Sequence, residues 1–294
     1  MHRRYLEKVD LTWPGKNNFA VWLTHDVDRV QKTYQYFTHF LKTRNLEHLK
    51  GLIRKKNEPY WNFKNILKIE RKYKVKSTFF FLNESKKIEL LDYSTWKLCL
   101  GRYNFSDKKI STVIRNLDNV GWEVGLHGSY DSYNNKDILR KEKDQLEAIL
   151  GKPIEGIRQH YLNLDVPVTW KLQEELGFKY DASFGLTEEV GFREGICRPF
   201  YPFDNDFLEI PLTIMDSPLM DNYQCKKERL KIINDLLDVA EANNSIITIL
   251  WHQRVFNEKE FPGYSETYED IIVECKKRKA WFATGSEIYR HLSG

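Results

Sequence analysis

The sequence predicts a single-domain α/β protein built as a β/α barrel, and three observations carry that prediction. Seven short apolar runs alternate with amphipathic segments along the 294 residues, the strand-then-helix order that builds parallel sheets. The runs are apolar almost throughout, as strands covered on both faces must be. Polar groups collect where the runs end: His25, Asp26 and Asp28; Asn83 and Glu84; His127; Arg158 and His160; Asp216; His252. A ring of such groups at the C-terminal strand ends suits a barrel, whereas an open doubly wound sheet, which the alternation also fits, gathers its groups at one crevice.

The predicted strands, in order, are FAVWLTHD (19–26), STFFFL (77–82), WEVGLH (122–127), IEGIRQH (154–160), FLEIPLTIM (207–215), SIITILWH (245–252) and AWFAT (280–284). The predicted helices lie in WNFKNILKIERKY (61–73), SDKKISTVIRNLDNVG (106–121), KDILRKEKDQLEAILG (136–151), VPVTWKLQEELGF (166–178), CKKERLKIINDLLDVAEANN (225–244) and SETYEDIIVECKKRK (265–279). Ser106 reads as the N-cap of the second of these and Gly121 as its stop. Between the first two strands, residues 31–58 form a basic helical insertion. Tyr36, Phe37, Phe40 and Leu41 give one apolar stripe, and Leu46, Leu49, Leu52 and Ile53 a second. Lys42, Arg44, Lys50, Arg54, Lys55 and Lys56 make its polar face basic. The bland expectation is a solvated face over a core stripe; the sharper one is contact with a membrane surface through segment 42–56.

Composition excludes several classes. A net charge of +4 with mixed signs and no binding signature argue against a nucleic-acid partner. No GxGxxG follows the first strand and no GxxxxGK[ST] occurs, which weighs against dinucleotide and P-loop chemistry. The four cysteines, Cys99, Cys197, Cys225 and Cys275, are scattered and read as reduced thiols. With no apolar signal segment near the start and no run long enough to span a bilayer, the expected location is cytoplasmic, with the inner membrane surface as a second option.

The chemistry starts with LTHDVDR (23–29). Strand alternation puts Asp26 and Asp28 on one face and His25 on the other, provided the chain stays extended to Asp28. Two carboxylates would then enter one site together. The alternative is a pair of loop aspartates capping a helix. In GLHGSYDS (125–132), His127 and Asp131 stand four apart, a pairing that suits a divalent transition metal. His252 ends SIITILWH on the same face as Ile246, Thr248 and Leu250, while Trp251 faces the other way.

Taken in order, these pieces resemble the polysaccharide deacetylase superfamily, also called the NodB homology domain or carbohydrate esterase family 4. Thr24-His25-Asp26-Val27-Asp28 resembles its Thr-Phe-Asp-Asp motif, His127-Gly-Ser-Tyr-Asp131 its His-x-x-x-His motif and Arg158-Gln159-His160-Tyr161 its arginine motif. Asp181 in YDASFG is the best match for the aspartate that tunes a histidine, and Ile249-Leu250-Trp251-His252 resembles its Leu-x-Leu-His motif. More narrowly, HDVD, GLHGSY, RQHYL and WH resemble a divergent branch often linked to surface-polysaccharide or O-antigen loci. The resemblance runs from about residue 19 to the C-terminus. Two departures stand out: Val27 splits the aspartate pair, and Asp131 stands where the family has its second metal histidine.

The resemblance implies an irregular (β/α)7-8 barrel of the polysaccharide deacetylase type and a metal-dependent hydrolase that removes an acetyl or similar acyl group from an N-acetylated sugar. It implies Asp26 as base, Arg158 as its orienting partner, His252 as acid and Asp181 as the group that holds His252 charged. The metal, zinc first among the candidates, would be held by Asp28, His127 and Asp131, with His160 as the alternative third ligand. Tyr130 and Tyr161 could stack on a sugar face. The carbohydrate substrate is expected to be nucleotide-linked or lipid-linked. Two other readings remain: a non-catalytic carbohydrate-binding protein on a degenerate barrel, and a metal-independent amidase on the same scaffold.

Overall fold

In a computed structural model of the protein, residues 11–44, 46, 58–84, 86, 88–89, 91–203 and 206–294 are described. Among these residues nine strands form one parallel sheet: β1 Ala20–Val27, β2 Ser77–Leu82, β3 Glu123–Gly128, β4 Gly156–Gln159, β5 Tyr180–Asp181, β6 Leu208–Glu209, β7 Ile214–Met215, β8 Ile246–Leu250 and β9 Trp281–Phe282. Their order is β6-β5-β4-β3-β2-β1-β8-β7, with β9 paired to the start of β1. The predicted strand 207–215 is two strands rather than one. β6 pairs with β5 and β7 with β8, and Pro211, which has no N–H to give a ladder, lies in the crossing between them. One continuous stretch thus carries the chain from one end of the curled sheet to the other, which makes the architecture an irregular barrel.

Alternation sorts the side chains into two layers. Phe19, just before β1, and Val21, Leu23 and Val27 within it face the helices and join a large core with Phe79, Phe81, Leu126, Ile157, Ile249 and Trp251. Ala20 and Trp22 face the barrel interior, where they pack with Phe80, Tyr180, Leu208 and Ile246. The interior aromatics need room. A Cβ on Gly156 would sit 2.1 Å from the Tyr180 ring, so β4 must carry glycine there. Tyr180 also stands edge-on to Trp22, 5.4 Å between centroids.

The outer helices match the amphipathic segments. They include Phe63–Tyr73, Lys108–Asn119, Lys136–Leu150, Val168–Glu175, Lys226–Ala242 and Tyr264–Lys277. Asp107, not Ser106, caps the second of these, accepting from Lys109 N at 2.8 Å. Helices at Tyr93–Cys99, Asp216–Asn222 and Gly285–Leu292 were not among the predicted ones. Of the predicted insertion, Gln35–Thr43 is helical, with Phe37 and Leu41 exposed. Most of the basic 42–56 segment lies outside the described residues. The cysteines are free thiols. Among the described residues no helix is long and apolar enough to cross a membrane.

Candidate functional site

The C-terminal strand ends open into a cavity of about 470 Å³ lined by Asp26, Asp28, His127, His160, Tyr161 and His252, among others. Each side chain arrives by the parity of its strand. β1 continues inward from Trp22 and Thr24 to Asp26, and the extended course reaches Asp28 just beyond the strand. His25 takes the opposite face. It is fully buried, its Nε2 lying 2.8 Å from Glu70 and its Nδ1 2.6 Å from the Trp251 carbonyl. This is the pairing that a polar group buried among apolar neighbours requires. β4 places Gly156, Arg158 and His160 inward in turn, and β8 does the same with Thr248, Leu250 and His252.

Arg158 is wholly buried and ties the floor together. Its Nη1 donates to Asp26 Oδ1 at 2.9 Å and to Thr24 Oγ1 at 2.7 Å, its Nε donates to the Ala182 carbonyl at 2.9 Å, and its guanidinium lies over Phe80. Asp26 is thereby fixed in place, with Oδ2 3.5 Å from His127 Nε2.

Asp28, His127 and His160 bring one ligand atom each within 4.8 Å of one another. His127 Nδ1 lies 2.9 Å from the Arg158 carbonyl, which accepts only a hydrogen. That bond places a proton on Nδ1, so that the neutral ring turns its Nε2 lone pair to Asp28, as metal-ligating imidazoles are usually held; burial opposes charging the ring, but Asp26 and Asp28 outweigh it and raise the His127 pKa. Asp28 Oδ1 is buried and takes no hydrogen bond, although His127 Nε2 and His160 Nε2 lie 3.3 and 3.9 Å away. Burial works against ionising Asp28, but His127, His252, His160 and Arg254 outweigh it and hold the carboxyl well below its ordinary range. Burial, only partly offset by Asp28, keeps His160 neutral, well below the usual imidazole value. An ionised carboxylate with an idle buried oxygen beside two nitrogen donors fits a divalent cation. One contact would change on binding: Arg102 Nη2 stands 3.2 Å from His160 Nε2, the atom that would ligate.

His252 faces this group from across the cavity, its Nε2 3.6 Å from Asp28 Oδ2. Its Nδ1 lies 2.9 and 3.0 Å from the two oxygens of Asp216, and its backbone N donates to Asp216 Oδ2 at 2.7 Å. Asp216 follows β7, whose register with β8 (Met215 opposite Leu250) brings the two residues together. Asp216 is buried, which opposes ionisation, but His252 and Arg254 keep it below the ordinary carboxylate value.

No protein-family model and no curated protein matches the sequence. Solved structures do match in fold. A Mycobacterium smegmatis protein described as a polysaccharide deacetylase superposes with a TM-score of 0.62 at 18% identity, over 97% of this chain and 93% of that one. A Pseudomonas aeruginosa PAO1 protein, also described as a polysaccharide deacetylase, gives 0.62 at 17%, over 95% and 92%. The allantoinase PuuE gives 0.61 at 18%, over 95% and 91%. The chain has the polysaccharide deacetylase fold.

Set on that deacetylase fold, the expected site residues divide. Asp26, Asp28, Arg158, His127, His160 and His252 converge on the cavity floor. Asp131 does not. After β3 the chain turns into a short 3-10 segment, Ser132–Asn134, and Asp131 points outward to Lys86 Nζ at 3.0 Å. The third position beside Asp28 and His127 belongs to His160. Asp181 is also elsewhere. On the two-residue β5, Tyr180 faces inward, so Asp181 faces the helix Val168–Glu175, where it meets Trp170, Gln173, Ser183 and Glu209. Asp216 holds His252 instead. Tyr161 lines the cavity and packs 4.4 Å from His160, with φ at 60°. Tyr130 stands behind it, edge-on at 5.7 Å, and does not line the cavity. Sequence reasoning placed Asp216 on the rim without giving it a role; it missed Arg102 and Arg254 altogether.

Proposed function

We propose that the protein is a metal-dependent hydrolase that removes an acetyl or similar acyl group from an N-acetylated sugar, in the synthesis of a surface polysaccharide or O-antigen. The observation that carries this reading is the idle, buried Asp28 Oδ1 aimed at two imidazole nitrogens, beside an Asp26–Arg158 pair and opposite an Asp216–His252 pair. Asp28, His127 and His160 would hold the metal, with zinc favoured by the two-imidazole, one-carboxylate donor set. Such a metal polarises a carbonyl and lowers the pKa of water.

The chain's own residues supply the rest. Asp26, fixed by Arg158, accepts a proton from the attacking water as its oxygen bonds to the acyl carbon. His252 donates a proton from Nε2 to the nitrogen as the C–N bond breaks, releasing a carboxylic acid and an amine. Asp216 accepts the Nδ1–H, which holds the ring with Nε2 toward the cavity, so that the second proton of the ring is the one carried at Nε2 and given to the leaving nitrogen. Tyr161 offers an aromatic face to the sugar. The substrate would be nucleotide-linked or lipid-linked, and the protein would act in the cytoplasm or at the inner membrane surface, with the basic 42–56 segment as the membrane contact.

A direct test measures bound metal in the purified protein together with acetate release from N-acetylhexosamines, free, nucleotide-linked and lipid-linked. Asp26→Asn should abolish turnover and keep the metal; His127→Ala should lose both. Full metal content and rate in His127→Ala would end the proposal. The similar superposition on the allantoinase supports a second reading, hydrolysis of a C–N bond in a non-sugar substrate. Turnover of allantoin in the same assay, without acetate release from any sugar, would favour it.

A further inference from the structure

The two imidazoles that face Asp28 are supported unequally. His127 has both ring nitrogens engaged, Nδ1 with the Arg158 carbonyl and Nε2 toward Asp28. On His160, Arg102 Nη2 lies 3.2 Å from Nε2. A guanidinium has only hydrogens to give, so Nε2 is the accepting nitrogen and the single hydrogen of the ring sits on Nδ1. That Nδ1 is buried and makes no hydrogen bond to a described residue. An idle buried donor is costly, and an acceptor within reach would recover that cost.

Such an acceptor stands close by. Glu84 Oε2 lies 3.9 Å from His160 Nδ1, just beyond hydrogen-bond length, and the Glu84 side chain is only 1% exposed. Counting by twos along β2 from the inward Phe80 through Leu82 puts Glu84 on the inner side, two residues past the strand end. It does not line the cavity; it stands on the Nδ1 side of His160. Backbone groups hold its carboxylate from two directions. Lys86 N donates to Oε1 at 3.0 Å, and Tyr130 N donates to Oε2 at 3.2 Å. The second of these ties Glu84 to the turn that follows His127 on β3. The Lys86 ammonium goes to Asp131 instead, at 3.0 Å. A carboxylate has about four lone-pair sites, so Oε2 can accept a second hydrogen.

We propose that Glu84 is a positioning residue of the metal centre: its Oε2 takes the Nδ1 hydrogen of His160 and so aims Nε2 at the site beside Asp28 and His127. The proposal rests on the metal-binding part of the hydrolase reading. Ligating imidazoles almost always give their second N–H to a carboxylate or a carbonyl. The Arg158 carbonyl does this for His127, and Glu84 does it for His160 as Nε2 leaves Arg102. The third ligand of this chain thus comes from the end of β4 with its support from the end of β2, while Asp131 is left to Lys86.

The test is zinc affinity of the full chain, read by competition with a chromophoric chelator in a double-mutant cycle. Glu84→Gln should weaken zinc binding roughly tenfold or more, within the range of about 10- to 100-fold that supporting contacts of this kind command. In a His160→Ala background the same change should cost less than about twofold, because a residue that acts through His160 has nothing left to aim. Should the Gln amide clash with the two backbone donors and unfold the protein, Glu84→Ala, which leaves them to water, gives the same comparison. Imidazole nitrogen NMR supplies a readout that a merely structural role would not move. His160 should carry its hydrogen on Nδ1 without zinc and keep it there with zinc, and the zinc-loaded Glu84 variant should lose the slow exchange of that hydrogen. Three results would each overturn the proposal and leave the metal site standing: unchanged zinc affinity in the Glu84 variants, equal losses with and without His160, or a metal-free His160 protonated at Nε2. No zinc binding by the unaltered protein would overturn the metal reading and this proposal together. Zinc coupling between Glu84 and His160 without hydrolysis of any N-acetylated sugar would sink the hydrolase reading and leave Glu84 in its place.

Discussion

Replacing Asp181 by Asn should change how stability depends on pH and leave the cavity untouched. Asp181 and Glu209 are both fully buried, and Trp170 Nε1 donates to Glu209 Oε2 at 2.8 Å and lies 3.3 Å from Asp181 Oδ2. Burial raises the pKa of both acids, and the charge of Asp181 pushes Glu209 further, well above its ordinary value. The folded pair therefore keeps a proton that the unfolded chain releases near the usual carboxyl range. By linkage, the stability associated with that proton is complete at low pH. It is lost at about 1.4 kcal/mol per pH unit as pH rises from the unfolded pKa toward the raised one. In Asp181→Asn the new amide donates to Glu209, whose oxygens already accept from Trp170 Nε1 and Phe184 N. Glu209 can then ionise without a like charge beside it, and at least half of the slope should disappear. Relative to the unaltered protein, the variant should gain stability as pH rises above the unfolded carboxyl range, by up to about 1 kcal/mol per pH unit, and each kcal/mol is on the order of 2–4 °C in midpoint for a chain of this size. Urea and thermal unfolding across pH 5–8 measure this, with metal content and turnover recorded on the same samples. Parallel stability curves for the two proteins would refute the reasoning. So would a loss of metal or rate, which would restore Asp181 to the site.

The remaining expectations concern the rim and the barrel interior. His160→Ala should weaken binding of zinc on the order of 100-fold, since loss of an orienting contact alone costs 10- to 100-fold; Asp131→Ala should change it less than twofold, and metal titration separates the two. Asp216→Asn should keep the metal while lowering turnover by roughly 10²- to 10⁴-fold, because Ser217 N and His252 N each donate to a different Asp216 oxygen and an amide offers only one, which loosens the hold on the His252 ring. Gly156→Ala should destabilise the fold by about 1–3 kcal/mol through forced repacking of Tyr180, read as a shift in denaturant midpoint at unchanged slope.

How much of this was written in the sequence depends on strand parity. Where strands are long, counting by twos was enough. Trp22, Thr24, Asp26 and Asp28 share one face while His25 does not, and Thr248, Leu250 and His252 share one face while Trp251 does not. The same count applied to β4 aligns Gly156, Arg158 and His160, so the third nitrogen donor was within reach. Spacing along one segment drew attention instead to Asp131, four residues from His127, but Gly128 ends β3 and the chain curls into a 3-10 turn that faces Asp131 to solvent. β5 is two residues long, too short for a pattern to show in the sequence, and only the packing of Tyr180 against Trp22 reveals that Asp181 must face away. Asp216 posed a different difficulty. Its partner His252 lies 36 residues on, and what joins them is the pairing of β7 with β8, a contact fixed by how the barrel closes and not by any local periodicity. The arginines were the least legible of all. Arg102 sits in a loop with no repeat to mark it, and its position beside Asp28 and His160 depends on the whole rim being assembled. The chemistry that the strands carry could be read by alternation; the arginines that line the rim beyond the strand ends lie where residue order says little about proximity.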